Sequence, residues 1–94
     1  MKESLDTVIG RIMFMERLFD EAAAAMAAGA DVRSDAALAH ALQTLGAYMD
    51  GGQWLSDYEL DERGGLPPTL KRGVLSEDAL YNLITEAEER RRNA

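Results

Sequence analysis

Apolar side chains recur at helical spacing over the first stretch of the chain, SLDTVIGRIMFMERLFDEAAAAMAAG. The positions, spaced alternately by three and four, are Leu5, Val8, Ile12, Met15, Phe19, Ala22 and Met26. This spacing places them on one face of an α-helix. Ser4 is a candidate N-cap, and Gly29 is a candidate C-terminal glycine. We therefore predict a helix over residues 5–28 whose apolar seam faces the core.

A second helical pattern follows the short segment ADVRS and covers AALAHALQTLGAYMD. Its apolar side consists of Leu38, Ala41, Leu42, Leu45, Tyr48 and Met49. Ser34 is the predicted N-cap, with Asp35 after it, and Gly51 and Gly52 are predicted to end the helix. Because only about five residues join the two helices, we expect them to form an antiparallel hairpin.

The segment QWLSDYELDER is predicted to form a short third helix. One face is expected to carry Trp54, Leu55 and Tyr58, and another face Asp57, Asp61 and Glu62. The next segment, GGLPPTLKRG, is predicted to be an irregular loop, because Pro68 keeps Pro67 out of the helical region and the flanking glycines favour turns.

The last pattern, SEDALYNLITEAEERRRN, predicts a C-terminal helix capped by Ser76, with Glu77 and Asp78 at its positive end. Its inward residues are Leu80, Leu83, Ile84 and Ala87. The fold class predicted is all-α. We expect one domain over residues 1–94, a small bundle made of a long antiparallel hairpin, a short helix, a Pro/Gly loop and a C-terminal helix.

Composition narrows the possible functions. The chain has 94 residues, a formal net charge of −7 and no cysteine. The lack of cysteine excludes disulfides and thiolate catalysis and favours a cytoplasmic location. Acids interrupt the apolar residues near the N-terminus, so we expect neither a signal peptide nor a membrane span. The acidic charge disfavours direct binding to nucleic acid and favours a protein partner with a basic surface.

The run LPPTLKRGVLSEDALYNLI, preceded by YMDGGQWLSDYELDE, resembles the bacterial family of domain of unknown function 4298. A Trp-Leu pair, an acidic segment and an Arg-Gly-Val-Leu-Ser-Glu-Asp string recur in that family. The resemblance covers residues 5–85 and is distinctive over residues 48–84. It implies no reaction. The residues that carry it are Trp54, Asp57, Leu66, Pro67, Leu70, Arg72, Gly73, Val74, Leu75, Ser76, Glu77, Asp78 and Tyr81.

Metal binding and catalysis receive little support from the sequence. Asp57, Glu59 and Asp61 alternate as the first ligands of a calcium loop do, but Glu62 stands where that loop needs glycine and Pro68 where it needs glutamate. The single histidine, His40, has no acidic neighbour at helical spacing. We expect no metal, no cofactor and no enzymatic activity.

Two interpretations of the distinctive segment remain open together. Arg72 is predicted to pair with an acid of the short helix and so to pin the loop. The same region is also predicted to bind a partner, because aromatic residues and arginine dominate binding hot spots. The candidate partner-binding residues are Trp54, Asp57, Tyr58, Glu59, Asp61 and Arg72, and the structural-motif residues are Leu66, Pro67, Arg72, Gly73, Ser76 and Asp78.

The function expected from these observations is non-catalytic protein binding, as a small acidic module or regulator. One alternative is a phage-type inhibitor, similar in physical type to anti-CRISPR proteins, whose acids occupy a basic surface that normally holds nucleic acid. Another is a structural homodimer held by the apolar seam of the first helix. The sequence leaves monomer and homodimer open.

Overall fold

The computed structural model describes residues 3–93, which form four α-helices and one short 3-10 turn, with no strand among them. In chain order these are α1 (Leu5–Ala27), α2 (Ala36–Asp50), α3 (Gln53–Glu62), the 3-10 turn (Gly73–Leu75) and α4 (Ala79–Asn93). The predicted all-α bundle is confirmed. Among the described residues, no helix has both the length and the apolar composition that crossing a membrane requires.

Both predicted ends of α1 are confirmed. The Ser4 side chain accepts a hydrogen bond from the backbone N–H of Thr7 at 3.2 Å. At the other end Gly29 has a φ of 86°, which only glycine adopts readily. The N–H of Ala30 donates to the carbonyl of Ala25, and the N–H of Gly29 donates to that of Met26. This pair of bonds is the Schellman arrangement, which satisfies the last carbonyls of the helix.

Two of the predicted N-caps are wrong. The cap of α2 is Asp35, whose side chain accepts from the N–H of Leu38 at 3.0 Å. Ser34 belongs instead to the preceding turn, since its N–H donates to the carbonyl of Asp31. Likewise Ser76 ends the 3-10 turn, because its N–H donates to the carbonyl of Gly73.

The predicted start of the last helix is therefore also wrong. A turn occupies residues 76–78, and α4 begins at Ala79, two residues later than a cap at Ser76 predicts. Glu77 and Asp78 consequently precede the helix and do not lie in its first turn. Ser76, which the sequence pattern assigns to the cap of the helix, instead ends the 3-10 turn.

The core is one buried cluster to which α1, α2, α4 and the loop all contribute. Its most completely buried apolar side chains include Ile12, Leu45, Tyr48, Val74 and Leu80. Between α3 and α4 the chain contributes Leu66 and the 3-10 turn to this cluster. The irregular Pro/Gly segment is therefore packed into the fold along part of its length.

Candidate functional site

A buried ion pair joins α1 to α3. The guanidinium of Arg11 donates from Nε to Oδ2 of Asp57 at 3.0 Å and from Nη2 to Oδ1 at 2.5 Å. The hydroxyl of Tyr48, from α2, donates to the same Oδ2 at 2.6 Å. Asp57 is 1% exposed. These three donors, all from inside the bundle, occupy three of its acceptor positions. The site ties three helices together.

This arrangement corrects the predicted faces of α3. Asp57 was expected beside Asp61 and Glu62 on a polar face, but it lies inward, while Leu55 is 51% exposed. Trp54, Asp57, Tyr58 and Asp61 follow the i, i+3, i+4, i+7 pattern and therefore share one side of the helix. The helical spacing itself carried the signal that Asp57 accompanies the aromatic residues.

The buried network raises the pKa of both Arg11 and Tyr48. The hydrogen bond to Asp57, then that to Glu3, raises the pKa of Arg11 above its ordinary value, so the guanidinium stays charged. Burial, and secondly the bond to Asp57, raises the pKa of Tyr48 well above the ordinary phenol value. Tyr48 therefore remains a neutral donor at any physiological pH.

Arg72 holds the Pro/Gly loop to the end of α3. Its Nη1 donates to Oδ1 of Asp61 at 2.5 Å, and its Nη2 donates to the carbonyl of Pro67 at 2.6 Å. Its Nε makes a longer bond to the carbonyl of Leu70 at 3.3 Å. The pairing of Arg72 with an acid of α3 was predicted and is present. Two backbone carbonyls complete the contact in place of a second carboxylate oxygen.

The 3-10 turn is held from both sides at Val74. The backbone N–H of Val74 donates to Oε1 of Glu16 at 2.7 Å, and its carbonyl accepts from the indole N–H of Trp54 at 2.9 Å. Gly73 stands against the Glu16 carboxylate, and a Cβ at that position would lie 3.0 Å from Oε2. Glycine therefore allows the close approach. Tyr58 stacks on Trp54 with ring centroids 5.0 Å apart.

These contacts fix a loop that forms one wall of an open groove, with α1 as the other wall. We call it the α1–loop groove. Its volume is about 580 Å³. It is lined by Ile9, Met13, Glu16, Arg17, Asp20 and Glu21 of α1 and by Pro67, Thr69, Leu70 and Lys71 of the loop. Met13 is 59% exposed and offers apolar surface at the groove.

A second groove runs between α2 and α4, with a volume of about 720 Å³. Apolar side chains such as Met49, Ile84 and the exposed Tyr81 alternate there with Asp50 and Arg91. Its walls are two regular helices. The α1–loop groove differs because one of its walls is an irregular segment held by specific side-chain bonds.

The predicted partner-binding residues do not form one solvent-facing patch. Trp54 and Tyr58 are half-buried, and their stack supports the 3-10 turn. Glu59 is exposed, whereas Asp61 is half-buried against Arg72. The continuous acidic face expected over α3 is therefore wrong, since Asp57 faces the core and Asp61 is paired.

The predicted structural-motif residues lie in the segment between α3 and α4. Leu66 is buried, Pro67 lines the α1–loop groove and Arg72 bonds to its carbonyl, while Ser76 and Asp78 lie in the turn before α4. Sequence reasoning missed Arg11 and Glu16 as site residues. Glu16 follows Ile12 and Met15 within the buried stripe of α1, and a charged residue at such a position needs a buried partner.

Groups able to hold a metal ion are not found within residues 3–93, where no three Asp, Glu or His side chains converge suitably. His40 is exposed on α2. Both carboxylates that are buried there, Glu16 and Asp57, already accept hydrogen bonds from the protein.

Comparison with protein-family models gave a match to Domain of unknown function (DUF4298) over residues 12–92. Comparisons with curated proteins and with solved structures gave no significant match. The matched residues extend from within α1 nearly to the end of α4 and include every residue that lines the α1–loop groove except Ile9. The chain therefore belongs to the DUF4298 family.

Proposed function

We propose that this protein is a non-catalytic protein-binding module that takes a segment of its partner into the α1–loop groove. The observation that carries the proposal is an apolar groove beside a loop that has a fixed conformation. Ile9, Met13 and Leu70 offer apolar surface, and a volume of about 580 Å³ lies in the range typical of ligand sites.

The fixed loop supports this proposal because a preformed wall loses little conformational entropy on binding. Arg72, Trp54 and Glu16 bond to the backbone of the loop or of the 3-10 turn. Trp54, Arg72, Gly73 and Val74 also carry the family resemblance. Two further residues that carry the resemblance, Pro67 and Leu70, line the groove itself.

A non-catalytic role is favoured because the buried ionisable groups have structural bonds. Asp57 neutralises Arg11, and Glu16 holds Val74. The cysteine-free sequence is consistent with a reducing compartment, and the proposal places the protein in the cytoplasm.

The inhibitor alternative depended on a run of acids facing a basic partner. With Asp57 inward and Asp61 paired to Arg72, Glu59 and Glu62 remain as the exposed acids of α3. The groove therefore supports protein binding better than the α3 face does.

The proposal is tested by affinity capture from the source organism with three baits: the wild-type chain, Met13→Glu and Leu55→Glu. Leu55 is the matched control, an exposed apolar residue outside both grooves. Both substitutions are at exposed helical sites and are expected to change stability by about 0.5 kcal/mol or less. We expect a protein retained by wild type and by Leu55→Glu and lost by Met13→Glu. Equal retention by all three baits would contradict the proposal.

Sedimentation of the purified chain at micromolar concentration distinguishes the proposed binding module from the homodimer alternative. A monomer is expected under the proposal. A dimer that Met13→Glu dissociates would assign the groove to a second copy of the chain.

A further inference from the structure

We infer that the partner segment in the α1–loop groove carries an apolar side chain and, about 10 Å further along, a lysine or arginine. The inference rests on the proposed function and adds the chemistry of the occupant. It follows from how the lining of the groove changes along α1.

The α1 wall is apolar toward its N-terminal end and acidic toward its C-terminal end. Ile9 and Met13 come first. Glu16, Asp20 and Glu21 follow on the same wall within two further turns. Because residues four apart are neighbours on a helix surface, Glu16 and Asp20 form an acidic stripe, and Glu21 flanks it beside Arg17. A partner side chain at this end meets mainly negative charge.

Glu16 is the deepest of these acids, with 9% of its surface exposed. Its Oε1 accepts the N–H of Val74. No hydrogen bond within residues 3–93 is donated to Oε2, which is accessible to solvent. A carboxylate has about four acceptor positions, so Glu16 keeps unused capacity at the wall of the groove. A cationic donor from a partner would replace water at Oε2 and form a charge-assisted hydrogen bond there.

The two cations that line the groove do not neutralise this stripe. Arg17 lies over the ring of Phe14 at 5.5 Å and makes a loose pair with Glu21 at 3.9 Å. Lys71 is exposed on the opposite wall. Three carboxylates therefore face two cations, and the whole chain has a net charge of −7. Charge complementarity favours a basic occupant over an acidic one.

The spacing follows from helix geometry. Met13 and Asp20 are seven residues apart, which corresponds to about 10 Å along the axis. Glu16 lies between them, about 6 Å from Asp20 and within reach of a long lysine or arginine side chain placed there. An extended peptide covers this distance in about three residues, and a helical one in about seven. The expected motif is therefore an apolar residue followed or preceded by a basic residue at one of these two separations.

The inference is tested by selecting random displayed peptides of about ten residues, a length that spans the groove when extended. Peptides are selected on the wild-type chain and kept when Met13→Glu abolishes their binding. We expect lysine or arginine to be enriched at the stated separations from an aliphatic or aromatic residue. Enrichment of acidic residues, or no charge preference, would overturn the inference and leave the groove itself as a binding site.

Titration of one selected peptide then measures the contribution of the acids. Asp20→Asn is expected to weaken binding by about two- to fivefold, as for an exposed ion pair. Glu16→Gln, which retains an oxygen for the Val74 N–H, is expected to weaken it by about tenfold. Neither variant should affect a peptide whose basic residue is replaced by norleucine. Equal losses for both peptides would overturn the inference.

The two failures are distinguishable. If the selected peptides bind Met13→Glu as well as wild type, the groove is not the site, and the proposed function fails together with the inference. If binding requires Met13 but does not change in Asp20→Asn or Glu16→Gln, the inferred preference for a basic residue fails and the proposed function stands.

Discussion

Arg11 and Asp57 are joined by two parallel hydrogen bonds inside the bundle, although 46 positions separate them in the chain. Asp57 is almost fully buried, and Tyr48 donates to it from a third helix. A buried carboxylate is tolerable only when a cation and further donors satisfy it. The pair therefore fixes α3, whose one fully buried side chain is Asp57, against α1 and α2.

Asp57→Ala should destabilise the fold strongly, because it leaves Arg11 with Glu3 as its remaining carboxylate and the buried Tyr48 hydroxyl without its acceptor. Breaking a buried pair from one side costs about 3–5 kcal/mol. Glu59→Ala, at an exposed site on the same helix, is the matched control and should cost about 0.5 kcal/mol or less. Urea denaturation measures both. Similar free energies of unfolding for the two variants would show that the buried pair does not hold α3.

Stability should fall at alkaline pH because of Tyr48. Burial first, and Asp57 second, raise the pKa of this hydroxyl above its ordinary value of about 10. In the unfolded chain Tyr48 releases its proton near that ordinary value, whereas in the folded chain it keeps it. Above about pH 10 the unfolded state therefore binds fewer protons than the folded state. The contribution of Tyr48 to the free energy of unfolding is fully present below that pH and decreases above it.

Tyr48→Phe tests this linkage. The variant should lose about 1 kcal/mol at neutral pH, because the hydrogen bond to Asp57 is gone. Above about pH 10 its free energy of unfolding should decline less steeply than that of wild type. Parallel pH profiles for the two proteins would contradict the buried position of the hydroxyl.

Arg72→Ala should loosen the loop that forms one wall of the groove. It removes the ion pair with Asp61 and the bonds to two backbone carbonyls, at a cost of about 1–3 kcal/mol. Arg72→Lys should recover only part of this, since an ammonium cannot reproduce the planar fork of a guanidinium. Thermal unfolding compares the variants, and a melting temperature unchanged in Arg72→Ala would contradict the pinning role.

Trp54 should contribute to stability through both its ring and its indole N–H. Trp54→Phe keeps most of the packing but loses the bond to the Val74 carbonyl, at about 1 kcal/mol. Trp54→Ala also loses the stack on Tyr58 and should cost about 3 kcal/mol. Denaturant unfolding followed by circular dichroism measures both. Equal stability of the two variants would mean that the aromatic packing contributes nothing.

The helices were predictable because their signals are local. The three-and-four spacing of apolar residues, the Ser4 cap and the stop at Gly29 all lie within or beside α1. The start of α4 was predicted wrongly because Ser76 also suits the end of a 3-10 turn, and tertiary packing of Val74 and Leu75 selects that use. Local propensity alone did not decide between the two.

The site was less predictable because its contacts are distant in sequence. Asp57 pairs with Arg11, 46 positions away, and the N–H of Val74 donates to Glu16, 58 positions away. The pairing of Arg72 with an acid of α3 was accessible because Asp61 is only 11 positions away. No sequence motif marks the groove, because its two walls come from opposite halves of the chain.

The central claim, that a partner occupies the α1–loop groove, is tested most directly by site-specific photo-crosslinking in the source organism. A benzophenone amino acid replaces Thr69, an exposed residue on the loop wall, and in a control replaces Ser56, an exposed residue of α3 outside both grooves. We predict a discrete crosslinked protein from position 69 that disappears with Met13→Glu and is absent from position 56. The same product from both positions, or one from position 69 that persists in Met13→Glu, would contradict the account.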